Sequence, residues 1–397
     1  MSHIVSFRIE GLAGRKEPLE LKLNPDTNIF FGPNGSGKTS LLKILHAAMS
    51  NETENLHLVP FKTAEVSIYS LTWKKVFTRS LTKTKLSSPS SRGDRTVVRR
   101  KVGIGDEDVI IREIPSSERL KWSCSPQTPK DVSSTHWKHE YLPTTRLHFG
   151  GEPYVSYYER TQSGRQGYTE EQLDAFFASA VERLWSRYSA PVLRSVRMAQ
   201  EQGLASILRA VLSTEGEKQR RRKRKLTPTT AYTRVQNFLR RQGSASILGT
   251  QEAFEKRYSG DLILQDIVQD IDSVEDKIEA AMASRNKLQE LIERMFTGNK
   301  EIHFTDESIE VTVLSGEKIG LASLSSGEKH LLQIFVQALL AEESSMIIDE
   351  PELSMHVDWQ KDLISCLRSL NPDAQLILAT HSPEIMADIP DDKIFRI

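Results

Sequence analysis

The stretch FFGPNGSGKTS, Phe30 to Ser40, decides the fold, because it fits the spacing G-x-x-x-x-G-K-[ST]. Glycines in such a loop let backbone N–H groups converge on phosphate oxygens, and the dipole of a following helix favours the negative charge. We expect Lys38 to reach the β- and γ-phosphates of a nucleotide and Thr39 to coordinate Mg²⁺. The predicted phosphate-binding residues are Gly32, Asn34, Gly35, Ser36, Gly37, Lys38, Thr39 and Ser40.

The sequence on either side of the loop predicts a strand before it and a helix after it. LELKLNPDTNIFF has two short apolar runs around Asn24-Pro25-Asp26, which is typical of two strands and a turn. TSLLKILHAAM places leucine and isoleucine at helical spacing. A strand, a loop and a helix in this order is the context that phosphate binding needs, so we predict a nucleotide site.

Composition indicates a globular protein of two or three domains. The chain has 397 residues, 38% of them apolar and 27% charged, and its formal net charge is zero. No apolar run approaches the roughly 18 residues of a membrane helix, and MSHIVSFRIE lacks the profile of a signal peptide. Cys124 and Cys366 lie far apart and indicate neither a disulfide framework nor a zinc site. We expect a cytoplasmic protein with no membrane contact.

Two apolar segments late in the chain end in polar residues. SSMIIDEPE, Ser344 to Glu352, reads as a strand followed by Asp349, expected to hold Mg²⁺, and Glu350, expected to orient or deprotonate an attacking water. LILATHSPEI reads as a second strand, followed by His381 where a γ-phosphate would be sensed. An ordinary buried strand before a proline turn is the alternative for the first segment.

Between the loop and these acids, LASLSSGEKHLLQIF predicts a helix with a Ser-Gly pair at its start. Such a helix N-terminus is a second anion-binding end. The predicted nucleotide contacts here are Ser325, Ser326, Gly327 and Glu328.

The four segments, in this order, resemble the ATP-binding-cassette (ABC) class of ATPase heads. The Ser-Ser-Gly-Glu form and IDEPELSMHVDWQ are more similar to the RecF, SMC and OLD relatives than to transporters. The resemblance covers roughly residues 1–49 and 300–397. It implies an α/β fold, a P-loop NTPase head with a mixed β sheet, that carries a β lobe and a helical insertion.

The resemblance also implies a mechanism that needs ATP, Mg²⁺ and a homo-oligomer. Ser325 and Gly327 of one copy would close over the ATP held by another copy, and the segment 353–356 would cross between copies. The residues acting in cis would be Lys38, Thr39, Asp349, Glu350 and His381. The glutamine that usually contacts Mg²⁺ in this class cannot be placed, because Gln127 is the first glutamine of the chain.

We predict that the head consists of residues 1–165 and 300–397, with a β lobe at about 60–150. AEVSIYSLTWKKVFTRS and DVIIREI read as strands of this lobe. EYLPTTRLHF reads as a strand that returns to the nucleotide, where Arg146 is a candidate site residue or an ordinary surface arginine.

Residues 166–299 predict a helical insertion, in which Pro191 is expected to break an amphipathic run. Apolar residues at alternating steps of three and four form a seam over 264–295, interrupted at Arg285, on a helix about 50 Å long. The seam fits a short coiled-coil stalk or an oligomerisation bundle; a helix packed on its own domain is the alternative.

Two basic stretches complete the pattern. Residues 73–101 hold ten Lys or Arg against one acid, and 218–225, KQRRRKRK, holds seven cations. They are either solvated links or contacts for nucleic acid or an acidic partner.

The first functional hypothesis is an ATPase that oligomerises and acts as sensor and scaffold for a separate effector, such as a Toprim or HNH nuclease, in bacterial antiviral defence. The chain resembles stand-alone phage-defence ATPases in this respect, among them the PARIS ATPase subunit and retron- and Septu-associated ATPases. The alternative is a RecF/SMC-like DNA-repair ATPase that binds DNA directly. A transporter subunit fits less well, because such subunits lack a middle region of this size.

Overall fold

The computed structural model of the chain divides into two compact units, which we call the head unit and the helical unit. The head unit comprises Met1–Leu184, Leu291–His303 and Ile309–Ile397, and the helical unit comprises Trp185–Glu290 and Phe304–Ser308. The divisions at 184 and 290 fall inside two long helices. The domain bounds at 165 and 299 stay a prediction. The residues described are 2–83, 95–101, 108–115, 120–126, 136–144, 169–212, 226–241, 243, 248–296 and 298–397.

The head unit contains a five-stranded parallel sheet built from distant parts of the chain. Its strands are β3 (Thr27–Phe31), β9 (His139–Leu142), β13 (Ser345–Asp349), β14 (Gln375–Thr380) and β15 (Ile394–Arg396). The spatial order is β15-β3-β14-β13-β9, and every pairing is parallel. Every residue of β13 and β14 is buried, which fits the apolar runs in the middle of both strands, because a parallel sheet is covered on both faces. Parallel strands end at one edge, so the loop after β3 and the polar residues after β13 and β14 lie at the same edge.

Besides the parallel sheet, the described residues form antiparallel sheets, which include the strands of the predicted β lobe. A five-stranded antiparallel sheet has the order β2-β1-β4-β5-β8, and a two-stranded hairpin joins β6 to β7. These strands are β1 (His3–Glu10), β2 (Leu19–Lys22), β4 (Thr63–Ser70), β5 (Lys75–Thr82), β6 (Arg95–Lys101), β7 (Asp108–Pro115) and β8 (Ser123–Ser125). A three-stranded sheet contains β10 (Lys300–Phe304), β11 (Ile309–Val313) and β12 (Lys318–Ile319).

The first helix, α1 (Lys38–Ser50), connects the loop to the core of the head unit. Its leucine and isoleucine residues are fully buried in one cluster with β1, β4, β13 and β14. At its C-terminal end, Arg79 of β5 donates hydrogen bonds to the carbonyls of Ala48 and Met49 and lies 4.2 Å from the Trp137 ring. Burial lowers the pKa of Arg79 to about 10. The buried cation therefore satisfies carbonyls that lack a partner within the helix, at the negative end of the helix dipole.

The remaining helices follow in chain order. They are α2 (Glu170–Leu212), α3 (Pro228–Arg241), α4 (Gln251–Gly260), α5 (Leu262–Met295), α6 (Ser326–Ala341), α7 (Val357–Leu370) and α8 (Pro383–Met386). Within the described ranges, none of these helices has the length and apolarity needed to cross a membrane.

In the helical unit, the predicted seam of α5 packs against helices of the same chain. Val268 and Ile271 share a cluster with residues of α3 and α4, and Val274 and Ile278 contact Ala199 of α2. Arg285, the polar interruption of the seam, forms an ion pair with Asp306. This part of α5 is therefore packed on its own domain, as in the alternative to a coiled-coil stalk or an oligomerisation bundle.

The prediction that Pro191 breaks the helical run is wrong, because α2 continues through it. A proline in a helix interior removes one backbone hydrogen bond, and its ring clashes with the carbonyl four residues earlier. The buried residues Trp185 and Ala199 anchor the helix on both sides, so tertiary packing overrides the local preference.

We expect Gly203→Ala to destabilise the helical unit. A Cβ at Gly203 of α2 would lie 2.2 Å from Val274 Cγ2 of α5, so the helices would have to separate locally. The cost of such overpacking is about 1–3 kcal/mol and exceeds the gain in helix propensity of at most about 1 kcal/mol. Thermal unfolding followed by circular dichroism measures it. Gly260→Ala is the matched control, since nothing lies within 4 Å of a Cβ there; equal melting temperatures for both variants would contradict the prediction.

Candidate nucleotide-binding site

The loop after β3 is a backbone cradle whose lysine is held close to it. The Lys38 ammonium donates to the carbonyl of Gly32 at 2.7 Å and to that of Pro33 at 3.2 Å. A Cβ at Gly32 would lie 2.3 Å from the carbonyl oxygen of Ile397, so only glycine fits there. Ser36 Oγ is buried and has no hydrogen-bond partner among the described residues. A phosphate oxygen is the type of acceptor that this hydroxyl and the lysine require, so the loop fits a nucleotide.

Two threonines converge on Asp349 at the end of β13. The Thr39 hydroxyl donates to Oδ1 of Asp349 at 3.2 Å, and the Thr144 hydroxyl donates to Oδ2 at 2.6 Å. The carboxyl is 1% exposed, and burial raises its pKa although both hydroxyls and nearby lysines act in the opposite direction. Hard oxygen ligands around a desolvated carboxylate fit Mg²⁺, which would be held by Thr39 and Asp349.

Glu350 follows directly in a left-handed backbone conformation, with φ of 51°. Its N–H donates to the carbonyl of Ala379 at 2.8 Å, which ties the turn to the end of β14. Burial, and then the neighbouring Asp349, raise the pKa of the Glu350 carboxyl. His381 Nδ1 lies 3.7 Å from Glu350 Oε1. The arrangement suits a proton acceptor that faces the nucleotide edge of the sheet.

A second acid in the same turn, Glu352, was missed by the sequence reasoning. It is 7% exposed, and its Oε1 accepts hydrogen bonds from the Thr380 hydroxyl at 2.7 Å and from the His381 N–H at 2.9 Å. The signal that could have revealed it is the acid two positions after Glu350, in a turn bounded by buried residues. Thr144 was also missed, because a lone threonine after a short strand carries no pattern.

The predicted signature residues form the N-terminus of α6. Ser325 Oγ accepts from the N–H of Glu328 at 3.3 Å, and Glu328 Oε2 accepts from the N–H of Ser325 at 2.6 Å, which is a capping box. Glu328 also accepts from Lys300 at 2.8 Å. Burial acts to raise the pKa of Glu328, but hydrogen bonds from Lys300 and Ser325 outweigh it and hold that pKa below its usual value. The Glu328 carboxylate accepts hydrogen bonds within this cap and from Lys300. Its contact with a nucleotide stays a prediction.

The signature and the segment 353–356 are in contact within one copy. A Cβ at Gly327 would lie 2.4 Å from the carbonyl oxygen of Ser354, so glycine is needed for this approach. Ser325 and Ser326 are both exposed. Among the described hydrogen bonds, none joins this corner to the loop at 32–40.

Two cations of the first basic stretch have partners inside the fold. Arg79 is fully buried, and the ammonium of Lys83 donates to the carbonyls of Leu56 and Val59, so these two of the ten cations in the 73–101 stretch are used inside the fold. Residues 84–94 and 218–225, together with Gln127 and Arg146, lie outside the described residues.

The parallel sheet, the loop after β3 and the acids after β13 define a P-loop nucleotide-binding head. Residues 208–387 match the family model AAA_21, described as "AAA domain, putative AbiEii toxin, Type IV TA system". The matched segment includes the signature, both acids and His381, and it starts after the loop at 32–39.

Two curated relatives match shorter segments. The chain is 29% identical over 100 residues to "Retron Vc95 probable ATPase" of Vibrio cholerae serotype O1 biovar El Tor, which covers 22% of this chain and 20% of the relative. It is 28% identical over 130 residues to "DNA double-strand break repair Rad50 ATPase" of Sulfolobus acidocaldarius, which covers 31% of this chain and 14% of the relative. The matches thus span a fifth or less of the length of either relative.

Solved SMC heads align over nearly the whole chain at low identity. The Smc head domain of Pyrococcus furiosus, solved with an extended coiled coil and bound to the C-terminal domain of ScpA, gives a TM-score of 0.43 at 12% identity and covers 98% of this chain and 92% of its own. The SMC head domain of Thermotoga maritima gives 0.37 at 10% identity and covers 97% and 91%. The matched family model and both curated relatives are AAA-type ATPases, and the fold and site described above are similar to such an ATPase head.

Proposed function

We propose that this protein binds ATP with Mg²⁺ and hydrolyses it at the edge of the parallel sheet. The observation that carries this proposal is the hydrogen bond between Thr39 and Asp349, which joins the phosphate-binding loop to a buried carboxylate 310 residues away. Mg²⁺, when bound there, would neutralise charge on the β- and γ-phosphates. The residues proposed to hold it are those two, and the turn after Asp349 supplies Glu350 beside the same edge.

The roles of the side chains follow from their contacts. Lys38 exchanges the carbonyls of Gly32 and Pro33 for phosphate oxygens when a nucleotide enters the loop. Glu350 orients a water molecule and accepts its proton, and His381, whose Nδ1 lies 3.7 Å from Glu350 Oε1, is proposed to sense the γ-phosphate. The backbone N–H groups of the loop and the dipole of α1 stabilise the phosphates.

The complete site is proposed to need two copies. The exposed start of α6, with Ser325, Ser326 and the contact between Gly327 and Ser354, presents a helix N-terminus that an anion on another copy fits. A two-fold homodimer of heads would pair each such corner with the loop of its partner. ATP would then join the two heads, and hydrolysis would release them.

The biological role proposed is that of a sensor and scaffold that controls a separate effector, such as a Toprim or HNH nuclease, in antiviral defence. The retron name of the Vibrio relative and the toxin named in the family description support this role. The likeness to the PARIS ATPase stays a prediction. Direct DNA repair has less support, since Arg79 and Lys83 of the first basic stretch are used inside the fold.

Phosphate release and native mass spectrometry, each with ATP and with or without Mg²⁺, test the proposal. We expect Mg²⁺-dependent turnover, a mass shift from monomer to dimer, and a second polypeptide of fixed stoichiometry after purification from the protein's own cells. ADP with Mg²⁺ is the control and should leave the monomer. A protein that binds no ATP at millimolar concentration would overturn the proposal, and a bare chain that arrives with DNA would favour the repair alternative.

A further inference from the structure

The buried carboxylate of Glu352 belongs to no role assigned so far. Its Oε1 accepts from the Thr380 hydroxyl and from the His381 N–H, and His381 Nδ1 lies 3.4 Å from the same oxygen. Its Oε2 is buried and has no hydrogen-bond partner among the described residues. A buried carboxylate loses its hydration, which only hydrogen bonds and opposite charge can replace. A glutamate at this position therefore costs stability that a residue needed only to close the turn would not.

Glu352 is one member of a closed ring of hydrogen bonds. The Thr380 hydroxyl also accepts from the N–H of Ser382 at 2.9 Å, and the Ser382 hydroxyl donates to Gln360 Oε1 at 2.7 Å. Gln360 Nε2 donates to the carbonyl of Met355 at 2.9 Å, and the Met355 N–H donates to the carbonyl of Glu352 at 3.0 Å. The ring thus ties the turn after β13, the end of β14 and the start of α7 together.

The two sides of the ring face different parts of the proposed site. On one side, His381 stands between Glu350 Oε1 at 3.7 Å and Glu352 Oε1 at 3.4 Å. On the other side, the loop that contains Met355 also contains Ser354, whose carbonyl is packed against Gly327 of the signature. A shift of the loop would therefore be felt at His381 through bonds that are each under 3.1 Å.

We propose that Glu352 is a positioning residue that holds His381 and the loop 353–356 as one hydrogen-bonded unit. This inference rests on the proposed ATP hydrolysis. The carboxylate fixes the imidazole orientation and which ring nitrogen carries the proton, because Nδ1 faces Oε1. Contact of a second copy with the loop then sets the geometry of the histidine beside Glu350.

Two near-isosteric variants test the proposal by separating turnover from binding. Glu352→Gln keeps an acceptor for Thr380 and removes the charge beside His381, and Thr380→Val breaks the ring at its hydroxyl. We expect kcat for ATP hydrolysis to fall about tenfold to a hundredfold in both, because small misplacements at a reacting centre have effects of this size. The Kd for ATP should stay within about threefold of the wild type, since no described side-chain hydrogen bond joins either residue to the loop at 32–40.

Glu384→Gln is the matched control, because the Glu384 side chain is 38% exposed and, among the described residues, forms an ion pair of 3.8 Å with Lys361. It should leave kcat and the Kd unchanged. If Glu352→Gln turns over ATP like this control while the wild type is active, the inference is overturned and the proposed function stands. The inference is also overturned if the affinity for ATP falls by the same factor as kcat and the melting temperature falls as well. That result indicates a purely structural role.

Hydrogen–deuterium exchange gives a readout that needs no hydrolysis. Thr380→Val removes the acceptor of the Ser382 N–H, so amide exchange should rise around residue 382. If the ring is one hydrogen-bonded unit, exchange should also rise in the loop 353–356. Unchanged exchange in that loop in both ring variants would overturn the inference. If the wild type hydrolyses no ATP, the proposed function fails, and the exchange result alone decides whether the ring is one unit.

Discussion

Glu350→Gln is expected to bind ATP as the wild type does and to hydrolyse it about a hundredfold to ten-thousandfold more slowly, the range for loss of a general base. The amide keeps the size of the carboxylate and its place beside His381, but it accepts no proton at neutral pH. Asp349, the adjacent residue, keeps both threonine hydrogen bonds, so the proposed Mg²⁺ ligands are unchanged. The variant should therefore accumulate with ATP bound and the two copies joined.

Single-turnover phosphate release measures the chemical step, and native mass spectrometry measures the dimer with ATP. Glu342→Gln is the control, because the Glu342 side chain is exposed on the same unit and, within the described part of the chain, its ion pair is with the exposed Lys138. Such a pair contributes at most about 1 kcal/mol, so turnover should not change. Near-normal hydrolysis by Glu350→Gln would contradict the role assigned to this carboxylate.

Local signals in the sequence predict the elements around the phosphate-binding loop. The turn at Asn24-Pro25-Asp26 separates β2 from β3, and α1 begins at Lys38 as its helical spacing indicates. Both depend on residues within a few positions of each other, where turn propensity and periodicity act directly. The strand that ends at Asp349 was predictable in the same way, from a short apolar run and the acids after it.

The parts that could not be predicted depend on partners far away in the chain. The sequence predicted that the strand of EYLPTTRLHF returns to the nucleotide, but not which strand it pairs with or that Thr144 reaches Asp349 across 205 residues through the pairing of β9 with β13. The same holds for Glu352, whose partner Thr380 is brought close by the pairing of β13 with β14. Pro191 shows the opposite case, in which a strong local signal is overridden by packing on both sides.

Mixing two inactive variants is expected to restore activity if the site is shared between copies. Lys38→Ala removes the phosphate contact of the loop, and Ser326→Glu places a negative charge at the exposed start of α6, where ATP of the other copy would approach. An acid in the first turn suits the helix dipole, so Ser326→Glu should fold normally and act by repelling the phosphates. Each variant alone should show hydrolysis near background.

In a two-fold dimer, a mixed pair has one site that carries both changes and one that carries neither. Half of the dimers in an equal mixture are mixed, so activity should return to about a quarter of the wild type. Ser326→Gln is the control for size without charge and should keep most activity on its own. If native mass spectrometry detects mixed dimers and hydrolysis stays at background, the signature does not act on the partner's nucleotide, and the site must be complete within one chain.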